Sequence, residues 1–310
     1  MSSLVFSRLA PTPSGYLHFG NAFNFLLTRL LVDYQRGHLH LRIDDLDGPR
    51  VERSSVEDIF VQLEWLGIEY DSGPSGPDEL YSKFSQQLRK ERYHESLELL
   101  HKSGHLFACE CSRSEIRQLS LNRNYPGTCR DKKLNLLNEN QPWRVRVPEQ
   151  TFVSFKTFTN KIEKIDVSQE MGDFVIKRRD GLPAYQLASI IDDLELGVNL
   201  VIRGQDLRAS TGAQLFLAKC LNDSTFPAIR FVHHFLQNDE SGDKLSKTKG
   251  AHSLKMLKSK HSKPTWIYQE TAKSLNLPFQ EIRTLDDLKE TFQSAMVLKD
   301  GQIKLLDRMN

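Results

Sequence analysis

Apolar residues along the chain keep two rhythms. Leu4 to Leu9 reads as a short buried strand, cut off by Ala10-Pro11-Thr12-Pro13-Ser14-Gly15, where two prolines and a glycine exclude regular structure. From about His18 to Arg36 the residues Ala22, Phe23, Leu26, Leu27, Leu30, Leu31 and Tyr34 recur at helical spacing, and Gly37 is placed to end that helix. His38 to Ile43 alternates as a second strand. Strand, loop, helix and strand in this order open a doubly wound sheet.

Further on, Ser54-Ser55-Val56-Glu57 offers a capping box for a helix burying Val56, Ile59, Phe60, Leu63 and Leu66. Another helix is expected from about Ser82 to Ser103, ending at Gly104. Residues 109–170 change character, with closely spaced cysteines, polar turns and short strands at Trp143–Val147 and Phe152–Phe158. They read as an insertion. The main sheet is expected to resume at Phe174–Arg178, turn at Asp180-Gly181, and continue through Leu200–Arg203 and Ile229–Leu236, with a helix over Ser210–Leu221. Helices at Thr265–Leu275 and Leu285–Met296 close the chain. The domain expectation is therefore 1–108 and 171–250 as two halves of one α/β domain, 109–170 inserted, and 251–310 as a short helical region.

Composition narrows the class. Hydrophobic residues make up 39% and charged residues 26%, which is the balance of a globular protein rather than a disordered one. No apolar run approaches the roughly 20 residues needed to cross a bilayer, and the first residues lack a secretory pattern. A cytoplasmic, non-membrane protein is expected. The net charge of +2 says little about partners, but seven lysines and no acidic residue lie between Lys244 and Lys263. Such a stretch suits a polyphosphate or RNA backbone, or simply a solvated surface. Cys109, Cys111 and Cys129 cluster apart from Cys220, which in a cytosolic chain suggests metal before disulfide, with reduced unligated thiols as the alternative.

The candidate chemistry lies in two segments. In Pro11 to Asn21, His18 sits in the first helical turn and Gly20 removes a Cβ where a nucleotide would approach the helix N-terminus, whose free N–H groups favour phosphate. In Gly242-Asp243-Lys244-Leu245-Ser246-Lys247-Thr248, two lysines three apart can neutralise charge developing on a leaving pyrophosphate. Either alone is weak. The first follows the first strand and the second follows the last, and one sheet would bring both to its C-terminal edge.

As an ordered set, these segments resemble the class I aminoacyl-tRNA synthetases. His18-Phe19-Gly20-Asn21 stands at that class's HIGH motif and Lys244-Leu245-Ser246-Lys247-Thr248 at its KMSKS motif. Arg8-Leu9-Ala10-Pro11-Thr12-Pro13-Ser14-Gly15, Leu41-Arg42-Ile43-Asp44-Asp45-Leu46-Asp47, Tyr185-Gln186-Leu187-Ala188 and Val201-Ile202-Arg203-Gly204 are similar to the glutamyl branch. The resemblance covers about 1–250. Within the branch it is nearest the short glutamyl-queuosine tRNA(Asp) synthetases, which lack an anticodon-binding domain; none is expected here.

The resemblance implies a Rossmann-like doubly wound parallel sheet with an inserted α+β subdomain carrying a zinc hairpin. It implies catalytic roles for His18, Lys244 and Lys247, and ATP contacts from His18, Gly20, Asn21, Lys244, Leu245, Ser246 and Lys247. L-Glutamate would meet Arg8, Ala10, Pro11, Thr12, Asp44, Tyr185 and Arg203. Asp44 stands where the family usually has Glu, and Ser189 where full-length glutamyl enzymes often have Asn. Structural zinc, one per chain, would sit on Cys109, Cys111, Tyr125 and Cys129, while Mg²⁺ would arrive with ATP. The partners implied are ATP, L-glutamate and a tRNA, with queuosine-containing tRNA(Asp) favoured and no obligate protein partner. A truncated glutamyl-tRNA synthetase charging the 3′ end of tRNA(Glu), and a non-catalytic glutamate- or tRNA-binding paralogue, are the other readings.

Overall fold

The computed structural model describes residues 4–48, 51–120, 124–138, 140–235 and 253–297. It divides into two compact units, one made of Met1–Leu88, Val198–Gln205 and Phe231–Asn310, the other of Arg89–Gly197 and Asp206–Arg230. In chain order the first unit begins with β1 (Phe6–Leu9), α1 (Phe19–Tyr34), β2 (His38–Leu41), α2 (Arg53–Trp65) and a single turn, α3 (Pro77–Glu79). The second unit holds α4 (Lys90–Lys102), β3 (Leu106–Ala108), α5 (Arg113–Leu119), β4 (Trp143–Val145), β5 (Phe152–Thr157), β6 (Ile162–Asp166), α6 (Val167–Glu170), β7 (Val175–Lys177) and α7 (Tyr185–Glu195). After them come β8 (Leu200–Gly204) in the first unit, α8 (Arg208–Cys220) in the second and β9 (Arg230–His234), nearly all of it in the first. The helices α9 (Leu254–Lys260), α10 (Thr265–Ser274) and α11 (Leu285–Val297) complete the first unit.

The first unit is built around α1. Every residue from Phe25 to Val32 is buried, so this helix is a core element rather than an amphipathic cover. It ends differently from the sequence expectation. The left-handed residue is Arg36, with φ 49°, not Gly37. Gly37 is required for closeness instead, because a Cβ there would stand 2.6 Å from Val5 O. β1 and β2 pair in parallel, Phe6 opposite His38 and Leu9 opposite Leu41. Asn199, just ahead of β8, exchanges hydrogen bonds with Phe6 through its backbone N–H and its side-chain oxygen, both at 2.9 Å. β8 in turn neighbours β9 in a sheet. The parallel β1–α1–β2 opening is therefore present as the pattern implied.

Two helix boundaries move. Ser54 lies inside α2, whose N-cap is Glu52 with no side-chain cap bond, so the expected capping box does not form. The helix expected from Ser82 begins at Lys90, because Ser85 is extended, with ψ 138°. Ser85 and Gln86 are used to hold the loop after β2, as described below.

In the second unit β4 lies between β3 and β7, antiparallel to both. The segment expected to resume the main parallel sheet at Phe174–Arg178 thus pairs antiparallel with a strand of the inserted stretch. β5 and β6 form an antiparallel hairpin turning at Asn160, with φ 63°. The turn expected at Asp180-Gly181 forms, with Gly181 at φ 82° and Arg178 N–H donating to Leu182 O at 2.8 Å.

Candidate active site

His18 is the N-cap of α1. Its Nδ1 accepts from Gly20 N–H at 3.1 Å, and its own N–H donates to Asn21 Oδ1 at 3.0 Å, a reciprocal cap using an imidazole in place of a hydroxyl. Two consequences follow. With Nδ1 an acceptor, the neutral ring carries its proton on Nε2, which is left as the donor. Burial also lowers the histidine's proton affinity, favouring that neutral form. Gly20 takes on a second use, since a Cβ there would come within 3.1 and 3.2 Å of His18 Cε1 and Nδ1. The glycine makes room for the imidazole itself.

The chain returns to His18 from far away. Ser253 forms an antiparallel bridge with His18, and Leu254 N–H donates to Leu17 O at 2.8 Å. One step further along the same ribbon, Lys255 Nζ lies 2.8 Å from Tyr16 Oη. On the N-terminal side of the second motif, His234 at the end of β9 meets Asn24 of α1, Nδ2 to Nε2, at 2.9 Å. Its ring also packs edge-on against Phe23 at 5.0 Å. Asn24 Nδ2 reaches Ile202 O on β8 as well, at 3.3 Å. Lys244, Leu245, Ser246 and Lys247 fall between these two anchors and lie outside the described residues.

The loops leaving β1 and β2 are laced together. Arg42 N–H donates to Leu9 O and Asp44 N–H to Pro11 O, each at 2.9 Å. Pro11 is buried and Thr12 exposed, with Ala10 between these extremes. Arg42 grips the Asp44 carboxylate with two bonds, Nε to Oδ1 at 2.7 Å and Nη2 to Oδ2 at 3.3 Å, and both side chains are almost wholly buried. Asp45 accepts from Ser85 Oγ at 2.5 Å and from Gln86 N–H at 2.7 Å, while Gln86 Oε1 accepts from Leu46 N–H at 2.9 Å. This support explains the break before α4. Arg8 on β1 and Arg203 on β8 are both buried, and the Arg203 guanidinium lies 5.2 Å from the Phe231 ring centroid. The first unit thus carries Arg8, His18, Gly20, Asn21, Asp44 and Arg203. Tyr185 opens α7 in the second unit, 40% exposed.

The cysteine hairpin is wholly within the second unit. Cys109, Cys111 and Cys129 bring their sulfurs within 4.8 Å of one another, with Cys111 and Cys129 at 3.5 Å. Tyr125 Oη sits 3.6 Å from Cys109 Sγ and 4.0 Å from Cys111 Sγ. Zinc bonds to sulfur near 2.3 Å and to oxygen near 2.0–2.2 Å, so a tetrahedron has edges of about 3.8 Å between sulfurs and about 3.5 Å from sulfur to oxygen. Three of the edges, at 3.5, 3.6 and 4.0 Å, lie near those values, and no two sulfurs are more than 4.8 Å apart, so small side-chain shifts would close the set around one ion. Without metal, burial and the neighbouring thiols push Cys111 up to about 11. Burial also resists ionisation of Cys129, but hydrogen bonds from Tyr125, the Glu110 backbone and Cys111 outweigh it and lower its value.

The pairings of Asn24 with His234, of Ser253 with His18, and of Ser85 and Gln86 with Asp45 had no counterpart in the sequence reading. Only the polar run Ser85-Gln86-Gln87 inside a helical pattern hinted at one.

Residues 4–303 match the family model described as tRNA synthetases class I (E and Q), catalytic domain. A glutamyl-Q tRNA(Asp) synthetase from Synechococcus sp. is 37% identical over 279 residues, covering 89% of this chain and 85% of that protein. One from Burkholderia cenocepacia is 35% identical over 256 residues, covering 80% and 81%. Among solved structures, the glutamate-tRNA synthetase of Elizabethkingia anophelis matches with a TM-score of 0.73 at 23% identity. That match covers 94% of this chain and 66% of the longer one, and it bears on the fold alone. No helix among the described residues is long and apolar enough to cross a membrane.

Proposed function

The chain belongs to the catalytic-domain family of class I glutamyl- and glutaminyl-tRNA synthetases, and from that premise we propose that it activates L-glutamate with ATP and transfers it to the queuosine at the wobble position of tRNA(Asp). The observation that carries the reading is the His18 cap at the N-terminus of α1, with Nε2–H directed to no partner of its own cap and Ser253, which follows the second motif in the chain, bridged to the same residue. The names of relatives 37% and 35% identical supply the acceptor.

The reaction needs no protein nucleophile. The glutamate α-carboxylate attacks the α-phosphorus of ATP, which arrives with Mg²⁺, and pyrophosphate leaves. A hydroxyl of the tRNA nucleoside then attacks the mixed anhydride, releasing AMP. Catalysis is placement and charge stabilisation. His18 Nε2–H donates to a phosphate oxygen, with Gly20 and Asn21 holding the cap. Lys244 and Lys247 are assigned to offset charge on the departing pyrophosphate, with Leu245 and Ser246 in the same motif. Lys247 is six residues before Ser253, so an extended chain can carry it about 20 Å from that anchor. Arg8 and Arg203 receive the glutamate side chain, a planar fork being suited to a carboxylate. Ala10, Pro11 and Thr12 shape that pocket. Asp44 serves the substrate ammonium.

Zinc on Cys109, Cys111, Cys129 and Tyr125 would fix the hairpin and supply no step of the reaction. The helices from α9 onward read as a tRNA-contacting region, and a cytoplasmic location fits an enzyme that uses ATP and tRNA. The test is the position of glutamate on RNA charged by the purified protein. Release with the wobble nucleoside of tRNA(Asp) after nuclease digestion is expected, and release with a 3′-terminal adenosine defeats the choice of acceptor.

A further inference from the structure

Two arginines that the reaction does not use brace the cysteine hairpin. Arg144 on β4 is buried, and its guanidinium carbon lies 3.9 Å from the centroid of the Tyr125 ring. One of its terminal nitrogens donates to Asp173 O at 2.9 Å, while its Nε, buried too, meets no acceptor. Arg179 Nη2 donates to the carbonyls of Glu110 and Cys111 at 3.0 and 3.1 Å, fixing the segment that bears the second thiol. Tyr125 is therefore held at both ends. Its oxygen accepts from Cys129 N–H at 2.6 Å and its ring lies against Arg144.

A buried guanidinium laid on an aromatic face, with one N–H unanswered, is costly unless negative charge nearby offsets it. Three thiolates around a dication would add one such charge to that of the Asp173 carboxylate, which already acts on Arg144. The stacked geometry also fixes the direction in which the phenolic oxygen points, toward Cys109 and Cys111.

We propose that Arg144 is a positioning residue for the metal centre, holding the Tyr125 ring so that Oη occupies the fourth coordination position while its charge offsets the thiolate set. This rests on reading the hairpin as a metal site. Outer partners of metal ligands commonly alter affinity about 10- to 100-fold, and Arg144 acts on the one ligand that is not a thiolate.

Cobalt(II), loaded in place of zinc, reports the ligand set through its d–d absorption, and release to a chelator reports how firmly the metal is held. Arg144→Met should release metal about 10-fold faster than the parent protein and should carry the cobalt spectrum of Tyr125→Phe rather than the parent's. Arg144→Lys keeps the charge without the flat face and should fall between the two. If Arg144→Met does not fold, as judged by far-UV circular dichroism, Arg144→Lys and Tyr125→Phe carry the comparison. Arginine variants with the parent's spectrum and release rate, whether or not their melting temperature changes, overturn the proposal. A parent protein that takes up neither zinc nor cobalt stoichiometrically overturns the metal reading beneath it as well.

Discussion

Replacing Gly20 by alanine separates what the helix needs from what His18 needs. A Cβ at this position would stand 3.1 Å from His18 Cε1 and 3.2 Å from Nδ1, so the ring must withdraw by a few tenths of an ångström and its bond to Gly20 N–H must lengthen. Loss of an N-cap bond typically costs about 1 kcal/mol. Alanine in place of glycine returns up to about 1 kcal/mol of helix propensity. The two nearly cancel, and the melting temperature should move little. Catalysis has no such compensation. A displacement of 1 Å can cost roughly 100-fold, so a shift of a few tenths should lower glutamate-dependent ATP–pyrophosphate exchange about five- to tenfold. The assay is exchange kinetics on Gly20→Ala beside a thermal melt. Unchanged exchange would show that the glycine does not serve the imidazole, and a large loss of stability would show that the cap was misjudged.

Other outcomes are expected from the same geometry. Arg203→Lys keeps a positive charge but loses the fork, and losing one charge-assisted bond of about 2 kcal/mol should raise the KM for glutamate roughly 30-fold with little change in the KM for ATP; equal changes in both would point to a general distortion. Asp44→Ala leaves the buried Arg42 without its bidentate carboxylate and should destabilise the protein to urea by about 3 kcal/mol, whereas Asp44→Glu should retain most of the stability. His18 also sets a pH window. Burial lowers its proton affinity, so the neutral ring persists above the ordinary value of 6.5 and is lost only as pH falls further below it. Exchange should therefore show an acid limb below pH 6.5 that disappears in His18→Asn; a limb above that value would contradict the burial argument.

What could be read in the sequence was local. The helix α1 announces itself by periodicity, and His18 and Gly20 sit within three residues, so one cap contains both. The cysteine hairpin was legible for the same reason, its spacing being short enough to close on a metal. What escaped is pairing at long range. The antiparallel partnership of Trp143–Val145 with Val175–Lys177 depends on register that no window of sequence contains. The return of Ser253 to His18, and the bond from His234 to Asn24, join residues more than 200 positions apart. Arg36 taking the left-handed position in place of Gly37 follows from the approach of Val5, again a distant constraint. Ser85 breaks a well-patterned helix because Asp45, 40 residues earlier, demands its hydroxyl.

Incorporation of labelled pyrophosphate into ATP, with L-glutamate present and RNA absent, measures the first chemical step alone. Rapid exchange that requires glutamate and collapses in Lys247→Ala is the predicted result. No exchange above background, or exchange indifferent to glutamate or to Lys247, would contradict a site in which the capped histidine and the lysine segment act on one triphosphate.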